Sequence, residues 1–143
     1  MSVPSPAVEP LGLAVSRTGR LLSRAFDDAL AAAGGSLPVW LVLVGVKSAS
    51  HATQRDLAER VGIEGATLTH HLRRMEDAGL VRRERTAHDR RNQVVELTDA
   101  GESLFTALRS AAMSFDRRLR DGLSERDEAS LRRVLDQLVE GLA

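Results

Sequence analysis

The sequence is short for two full domains and carries no overall charge. Its 143 residues are 43% hydrophobic and 28% charged, so we expect one compact unit with a modest core. Lys and Arg total 20, and Asp and Glu total 20, which excludes bulk positive charge as a means of binding nucleic acid or lipid. The absence of cysteine excludes disulfides, thiolate zinc sites, cysteine nucleophiles and thiol redox sensing.

The N-terminal segment has none of the features of a secretory signal. Residues 1–10 hold three of the four prolines and lack both a basic stretch and a long apolar stretch. The longest apolar run, residues 39–46, is much shorter than the roughly 20 residues of a membrane-spanning helix. We therefore expect a flexible tail over residues 1–10 and a cytoplasmic protein with no membrane partner.

The next two segments differ in how clearly they indicate a helix. Apolar residues recur at steps of three and four from Leu11 to Leu30, the period of a helix with one buried face, and Gly34 and Gly35 end it. Residues 37–46 are rich in β-branched residues and nearly all apolar. Their periodicity does not separate a buried helix from a core strand.

Two short helices and a ribbon are predicted in the middle of the chain. Thr53 followed by Asp56 is typical of a capped helix start, and this first helix closes at Gly62. A second helix is predicted over residues 64–78. After it, short apolar segments flank a charged, polar stretch, a pattern that predicts a two-stranded ribbon with an exposed tip over residues 82–97.

Two longer amphipathic helices are predicted at the C-terminal end. Thr98 can cap the first, and Ser124 with Asp127 resembles a capping box at the start of the second. Their apolar stripes are long enough for an intersubunit helix bundle as well as for the core of one chain. The stripes consist of Leu104, Leu108, Ala111, Phe115 and Leu119 in one helix and of Leu131, Val134, Leu135, Leu138 and Leu142 in the other.

Two short helices joined at a glycine and followed by a basic ribbon have the order of a winged helix-turn-helix. In the second helix Leu68, Leu72 and Met75 share the inward face. The opposite face begins with small residues and continues with hydrogen-bond donors, which suits a helix that enters the major groove of DNA. The alternative is an ordinary solvated face. The predicted DNA contacts of the two helices are Gln54, Ala66, Thr67, Thr69, His70, Arg73 and Arg74.

The predicted ribbon carries the local positive patch that the whole chain lacks. Residues 82–91 read RRERTAHDRR, five arginines against Glu84 and Asp89. Arginine suits a narrow minor groove, so Arg90 and Arg91 are predicted DNA contacts. Asp89 can orient Arg91 through a charge-assisted hydrogen bond. A solvated charge run is the alternative.

Three stretches of the chain resemble the MarR family of winged helix-turn-helix transcriptional regulators. They read ATQRDLAERVGI, ATLTHHLRRMEDAGLVRRE and DRRNQVVELTDAG. The resemblance implies a mainly α fold with a small β-hairpin wing, and a helix for residues 37–46. It implies a winged helix-turn-helix over residues 36–98 and a dimerisation region over residues 11–35 and 99–143. It also makes Arg91 the minor-groove residue, oriented by Asp89.

The resemblance implies a function as well as a fold. A twofold dimer places two recognition helices about 34 to 36 Å apart, so we expect a near-palindromic operator in double-stranded DNA. Repression is favoured, since a dimer that covers a promoter excludes polymerase without further contacts. Members of the family commonly bind small, often aromatic molecules in a cleft between the dimer helices and the DNA-binding lobe. The predicted lining of that cleft in the present chain is Phe26, Trp40, His51 and Phe105. Core packing is the alternative role of these aromatic side chains.

Other classes of function find less support in the residues. Four histidines, His51, His70, His71 and His88, raise the alternative of a metal-responsive regulator, but no helical His-x-x-x-His pair completes a site. There is no phosphate-binding loop, paired-carboxylate motif or nucleophile motif, so we predict neither an enzyme nor a cofactor. A winged helix used only for protein contacts remains an alternative, and salt-dependent binding to random DNA would separate it from a regulator.

Overall fold

The computed structural model describes residues 8–49, 53–84 and 93–143. Within them the chain forms six helices and one antiparallel hairpin, so the predicted class, mainly α with a small β-hairpin wing, is confirmed. The elements are α1 (Leu11–Ala32), α2 (Leu37–Lys47), α3 (Gln54–Val61), α4 (Gly65–Asp77), β1 (Val81–Glu84), β2 (Val94–Leu97), α5 (Asp99–Asp121) and α6 (Glu125–Glu140).

The ambiguous segment at residues 37–46 is helical. Ser36 caps α2 by accepting a hydrogen bond from the Val39 N–H at 3.3 Å, and Pro38 lies in the first turn, where its missing N–H costs nothing. Neighbours cover α2 on several sides, and a Cβ at Gly45 would lie 2.9 Å from Leu57 Cδ2. A helix enclosed in this way has no polar face, which explains why its sequence shows no helical period.

One apolar core joins the predicted dimerisation region to the helix-turn-helix. Leu30 of α1 and Leu108 of α5 are fully buried in the same cluster as residues from α2, α3, α4 and both strands. The other members of the cluster are Val42, Leu43, Val46, Leu57, Leu68, Leu72, Met75, Val81 and Val95. The helix-turn-helix therefore rests on a continuous core.

The start of α5 is built against the turn between α4 and β1. The Thr98 hydroxyl accepts a hydrogen bond from the Gly101 N–H at 3.1 Å and donates one to the Gly79 carbonyl at 2.5 Å. The Thr98 N–H donates to the Leu80 carbonyl at 3.1 Å. Gly101 packs so closely that a Cβ there would collide with the Leu80 carbonyl oxygen. The Leu-Thr-x-x-Gly sequence thus anchors α5 to the base of the hairpin.

Three helices of the single chain expose apolar faces. α6 has no buried residue, although Ser124 caps it as predicted by accepting from the Asp127 N–H at 3.0 Å. Arg120 at the end of α5 pairs with Glu128 of α6 at 3.3 Å and so links the two helices. The exposed apolar side chains are Leu11, Leu13, Val15, Leu21 and Leu22 on α1, Met113 and Leu119 on α5, and Leu131, Val134, Leu135 and Val139 on α6.

No single helix of the described residues is both long and apolar enough to cross a membrane. The helices α1 and α2 together have the length and apolar composition of a membrane span, but a bend of 74° separates them.

Candidate nucleic-acid interface

The helix-turn-helix is fixed by a capping box and a glycine turn. The Thr53 hydroxyl accepts from the Asp56 N–H at 3.1 Å, and the Asp56 carboxylate accepts from the Thr53 N–H at 3.2 Å. The Thr53 side chain, and then its backbone N–H, hold the pKa of Asp56 below the ordinary value of an aspartate. Gly62 ends α3 with φ of 69°, a left-handed conformation that glycine adopts without strain.

The two faces of α4 divide as the sequence predicts. Leu68, Leu72 and Met75 are at most 2% exposed and lie in the core. Five predicted DNA contacts, Ala66, Thr67, His70, Arg73 and Arg74, are exposed. The helix α4 is therefore supported along one side and presents small residues, then hydrogen-bond donors, on the other. Their contact with DNA stays a prediction.

Gln54 and Thr69, predicted as separate DNA contacts, are joined by a hydrogen bond. The Gln54 side-chain amide donates to the Thr69 hydroxyl at 2.6 Å, and this hydroxyl donates to the Gly65 carbonyl at 2.9 Å. Both residues are half-buried. The bond spans α3 and α4 and orients the Gln54 amide, a relation that no sequence spacing indicates because it depends on how the two helices cross.

The Glu84–Val94 end of the hairpin is tied to the start of α3. The Gln54 N–H donates to the Gln93 carbonyl at 3.0 Å, and Thr53 forms an isolated bridge with Val94. Gln93 is 8% exposed. No role for Gln93 is predicted from the sequence, because a lone glutamine beside a strand carries no recognisable signal.

The interpretation of residues 82–91 as one positive patch is wrong for Arg83. Its side chain is 13% exposed and its guanidinium Nε lies 3.0 Å from the Glu76 carboxylate. Arg83 shares a strand face with Val81, which is 2% exposed, and it opposes Val95 on β2. The period of two in a strand could have revealed this inward orientation. Arg82, on the other face, is exposed.

The predicted wing-tip contacts Asp89, Arg90 and Arg91 lie outside the described residues, as do His51 and His88. Their roles remain predictions.

A groove of about 830 Å³ lies where α3, α4 and the hairpin meet. It combines basic and acidic side chains, so its surface is mixed in charge. The lining residues are Gln54, Arg55, Ala58, Gly65, Thr69, Arg73, Glu76, Asp77, Arg83 and Gln93. Arg55, which sequence reasoning did not select, is exposed beside the predicted contacts.

The predicted ligand-lining rings of Phe26, Trp40 and Phe105 are divided between two aromatic pairs. Trp40 stacks on Phe105 with ring centres 5.7 Å apart and an angle of 17°, whereas Phe26 meets Phe115 at 5.3 Å. Phe26, Trp40 and Phe105 are partly buried and pack against the core. A groove of about 300 Å³ on α5 includes Phe105, but neither Trp40 nor Phe26 lines it. Core packing thus accounts for the observed positions of these rings, and ligand contact stays a prediction.

Histidines do not assemble a metal centre in the part of the chain that the structure describes. The His70 and His71 rings are 6.0 Å apart, and no group of three His, Asp or Glu side chains there could hold a metal ion.

Comparison with known proteins identifies the family. The family model described as MarR family matches residues 34–92. The solved structure of the transcriptional regulator PA3341 is 33% identical, covers 93% of this chain and 98% of its own, and superposes with a TM-score of 0.72. The chain belongs to the MarR family. It is therefore a transcriptional regulator and not an enzyme.

Two further proteins of similar fold bear on its function. The Mycobacterium tuberculosis regulator MOSR, solved in complex with DNA, is 27% identical, covers 94% of this chain and 96% of its own, and has a TM-score of 0.72. Rv2887 of the same organism is called an HTH-type transcriptional repressor and is 26% identical over 90% of this chain and 93% of its own length. Rv2887 has been solved in complex with p-aminosalicylic acid. The match to that structure is 25% identical, covers 91% of the present chain and 98% of the Rv2887 chain, and has a TM-score of 0.65.

Proposed function

We propose that this MarR-family regulator binds a near-palindromic operator as a homodimer and represses transcription in the cytoplasm until a small aromatic ligand releases it. The observation that carries the proposal is the exposed face of α4. This face belongs to a helix whose other side is buried at Leu68, Leu72 and Met75, so it is presented rigidly.

The surface of α4 supports a major-groove role. Ala66 and Thr67 are small and exposed at the N-terminal end, where they permit close approach to base edges. His70 follows as a donor or acceptor, and Arg73 and Arg74 lie one turn later, within reach of phosphates. MOSR, a relative of similar fold, is solved with DNA. We propose that α4 of the present chain contacts DNA, with Gln54 and Thr69 beside it and Asp89, Arg90 and Arg91 at the wing.

The exposed apolar faces of α1, α5 and α6 support a homodimer. Large apolar side chains in continuous stripes on a single chain mark an association surface. Those of α6 include Leu131, Val134 and Leu135, which are 40% to 48% exposed, and none of the described residues of α6 is buried. A second copy of the chain would bury these stripes in a helical bundle and place two recognition helices about one turn of DNA apart.

Repression and release by a ligand are proposed from relatives and from the aromatic residues. Rv2887 is called a repressor and has been solved with p-aminosalicylic acid and with salicylic acid. In the present chain Trp40 and Phe105 are stacked beside the start of α5, and Lys47 lies 5.4 Å from the Phe105 ring centre. We propose that an aromatic acid binds near these two rings and near Phe26 and His51. It releases DNA only if its affinity differs between the DNA-bound and the DNA-free state of the dimer.

The DNA-binding proposal is tested by fluorescence anisotropy on random duplex DNA across a range of salt. We expect affinity to fall steeply with salt, and Arg73→Ala to reduce the slope by about 1, the signature of a lost phosphate contact. Arg126→Ala, an exposed arginine on α6, serves as the charge-matched control and should leave the slope unchanged. Absence of salt-dependent binding would favour a protein-contact module. Salicylate and zinc are then titrated against the bound complex, and release by zinc alone would favour the metal-responsive alternative.

A further inference from the structure

The ion pair between Glu76 and Arg83 joins the recognition helix to the hairpin. Arg83 Nε donates to Glu76 Oε2 at 3.0 Å, and a second guanidinium nitrogen donates to Oε1 at 3.3 Å. The Arg83 side chain is 13% exposed and that of Glu76 is 33% exposed. The other described ion pairs involve side chains that are more exposed at one or both ends, such as Lys47 with Glu102, at 42% and 49%.

The backbone between the two elements is a short pivot. α4 ends at Asp77 and β1 begins at Val81. The Leu80 N–H donates to the Met75 carbonyl at 2.9 Å, and the Gly79 N–H donates to the Glu76 carbonyl at 3.0 Å, with Gly79 at φ of 75°. This Schellman turn sets where the chain leaves the helix. The turn constrains the hairpin only at the end nearest α4, where β1 begins.

The ion pair ties the hairpin to α4 on the far side of that pivot, where the Thr53–Val94 bridge ties it to α3. Arg83 lies two residues beyond the start of β1 and on the same strand face as buried Val81. A two-pronged guanidinium–carboxylate contact fixes direction as well as distance. Because the pair is half-enclosed, water screens it less than it screens an exposed pair.

We propose that Glu76 and Arg83 are positioning residues that hold the hairpin at a fixed angle to α4, so that the recognition helix and the wing meet DNA as one rigid unit. This inference rests on the proposed function. It assigns a role to an arginine that charge alone would place on the DNA and to an acid at the edge of a DNA-binding helix.

The variant Glu76→Gln separates positioning from simple electrostatics. Removing an acid beside DNA should strengthen binding if only charge matters, since it lowers the repulsion of phosphates. If the pair holds the wing, the same change weakens operator affinity by about tenfold, because the wing no longer arrives in register. The two mechanisms thus predict changes of opposite sign.

The experiment measures operator affinity and hydroxyl-radical footprints of the full chain, with the operator taken from selection on random DNA. For Glu76→Gln we expect weaker binding and loss of protection at the minor-groove flanks, with protection of the central half-sites kept. The double variant Glu76→Arg with Arg83→Glu should regain most of the affinity. Glu102→Gln, which breaks the exposed pair with Lys47 at the same 3.0 Å, is the matched control and should bind as the unchanged chain does.

The outcomes distinguish the inference from the function on which it rests. If the unchanged chain selects no operator, the proposed function fails and the inference fails with it. If the unchanged chain binds but Glu76→Gln binds equally well or better, only the positioning role is overturned. Loss of affinity with an unaltered footprint, or without rescue in the double variant, also overturns it. Circular dichroism at the assay temperature verifies that each variant is folded.

Discussion

Replacing Gly101 with alanine tests the junction that holds α5 against the base of the wing. The new Cβ would collide with the Leu80 carbonyl oxygen, with the Leu80 carbonyl carbon 3.1 Å away and Leu97 Cβ 3.4 Å away. Two of these atoms belong to backbone, which cannot rotate aside as a side chain can. The first turn of α5 must therefore move away from the turn that precedes β1.

Two costs and one gain determine the expected change in the free energy of unfolding. Overpacking against rigid neighbours costs about 1 to 3 kcal/mol. The displacement also stretches the cap between the Gly101 N–H and the Thr98 hydroxyl, now 3.1 Å, whose loss costs about 1 kcal/mol. Alanine regains up to about 1 kcal/mol through its higher helix propensity. The free energy of unfolding should fall by about 1 to 3 kcal/mol.

Urea unfolding followed by circular dichroism at one fixed protein concentration measures this change, the fixed concentration being needed if the chain is dimeric. Gly65→Ala is the matched control, because Gly65 is also in the first turn of a helix but a Cβ there meets no atom within 4 Å. The control should be neutral or slightly stabilised. A Gly101→Ala protein as stable as this control would refute the proposed close packing of α5.

Three further predictions concern the recognition helix, the association surface and the cap of α3. His70→Ala should change which bases are preferred more than it changes affinity for random DNA, and identical profiles in binding-site selection would count against base readout by this exposed residue. Leu135→Asp should weaken dimerisation by about 3 kcal/mol, because a carboxylate would be buried without a partner. Sedimentation equilibrium measures this, and an undiminished dimer would show that the interface lies elsewhere. Asp56 should titrate below the ordinary aspartate pKa in carboxyl NMR, since Thr53 hydrogen-bonds its charged form. A folded-state pKa below the unfolded value means that this contribution to stability is complete above the ordinary pKa and is lost as pH falls through the lowered one. Titration at or above the ordinary value would rule out that cap in solution.

The sequence predicts elements whose signals are local. Thr53, Thr98 and Ser124 each cap a helix as expected, and the inward face of α4 follows from its period. The segment at residues 37–46 could not be assigned from its own pattern, because a helix buried on most sides loses its polar face. Resemblance to the MarR family, rather than periodicity, supplied that assignment.

Contacts between elements were not predictable in the same way. The bond from Gln54 to Thr69 and the pairing of Arg83 with Glu76 depend on crossing angles that tertiary packing sets. Charge counting placed Arg83 with the other wing arginines, although the alternation of β1 already put it on the face of Val81. The strand period of β1 thus separates the exposed Arg82 from the half-buried Arg83, a distinction that net charge does not make.

Selection of bound sequences from a random duplex pool, with the number of chains per duplex determined on the selected DNA, tests most directly whether paired α4 helices read an operator. We expect an inverted repeat with half-site centres about 10 base pairs apart, bound by two chains. If no sequence is enriched, or if the enriched site is unrepeated and bound by a single chain, the proposal that paired α4 helices read an operator is contradicted.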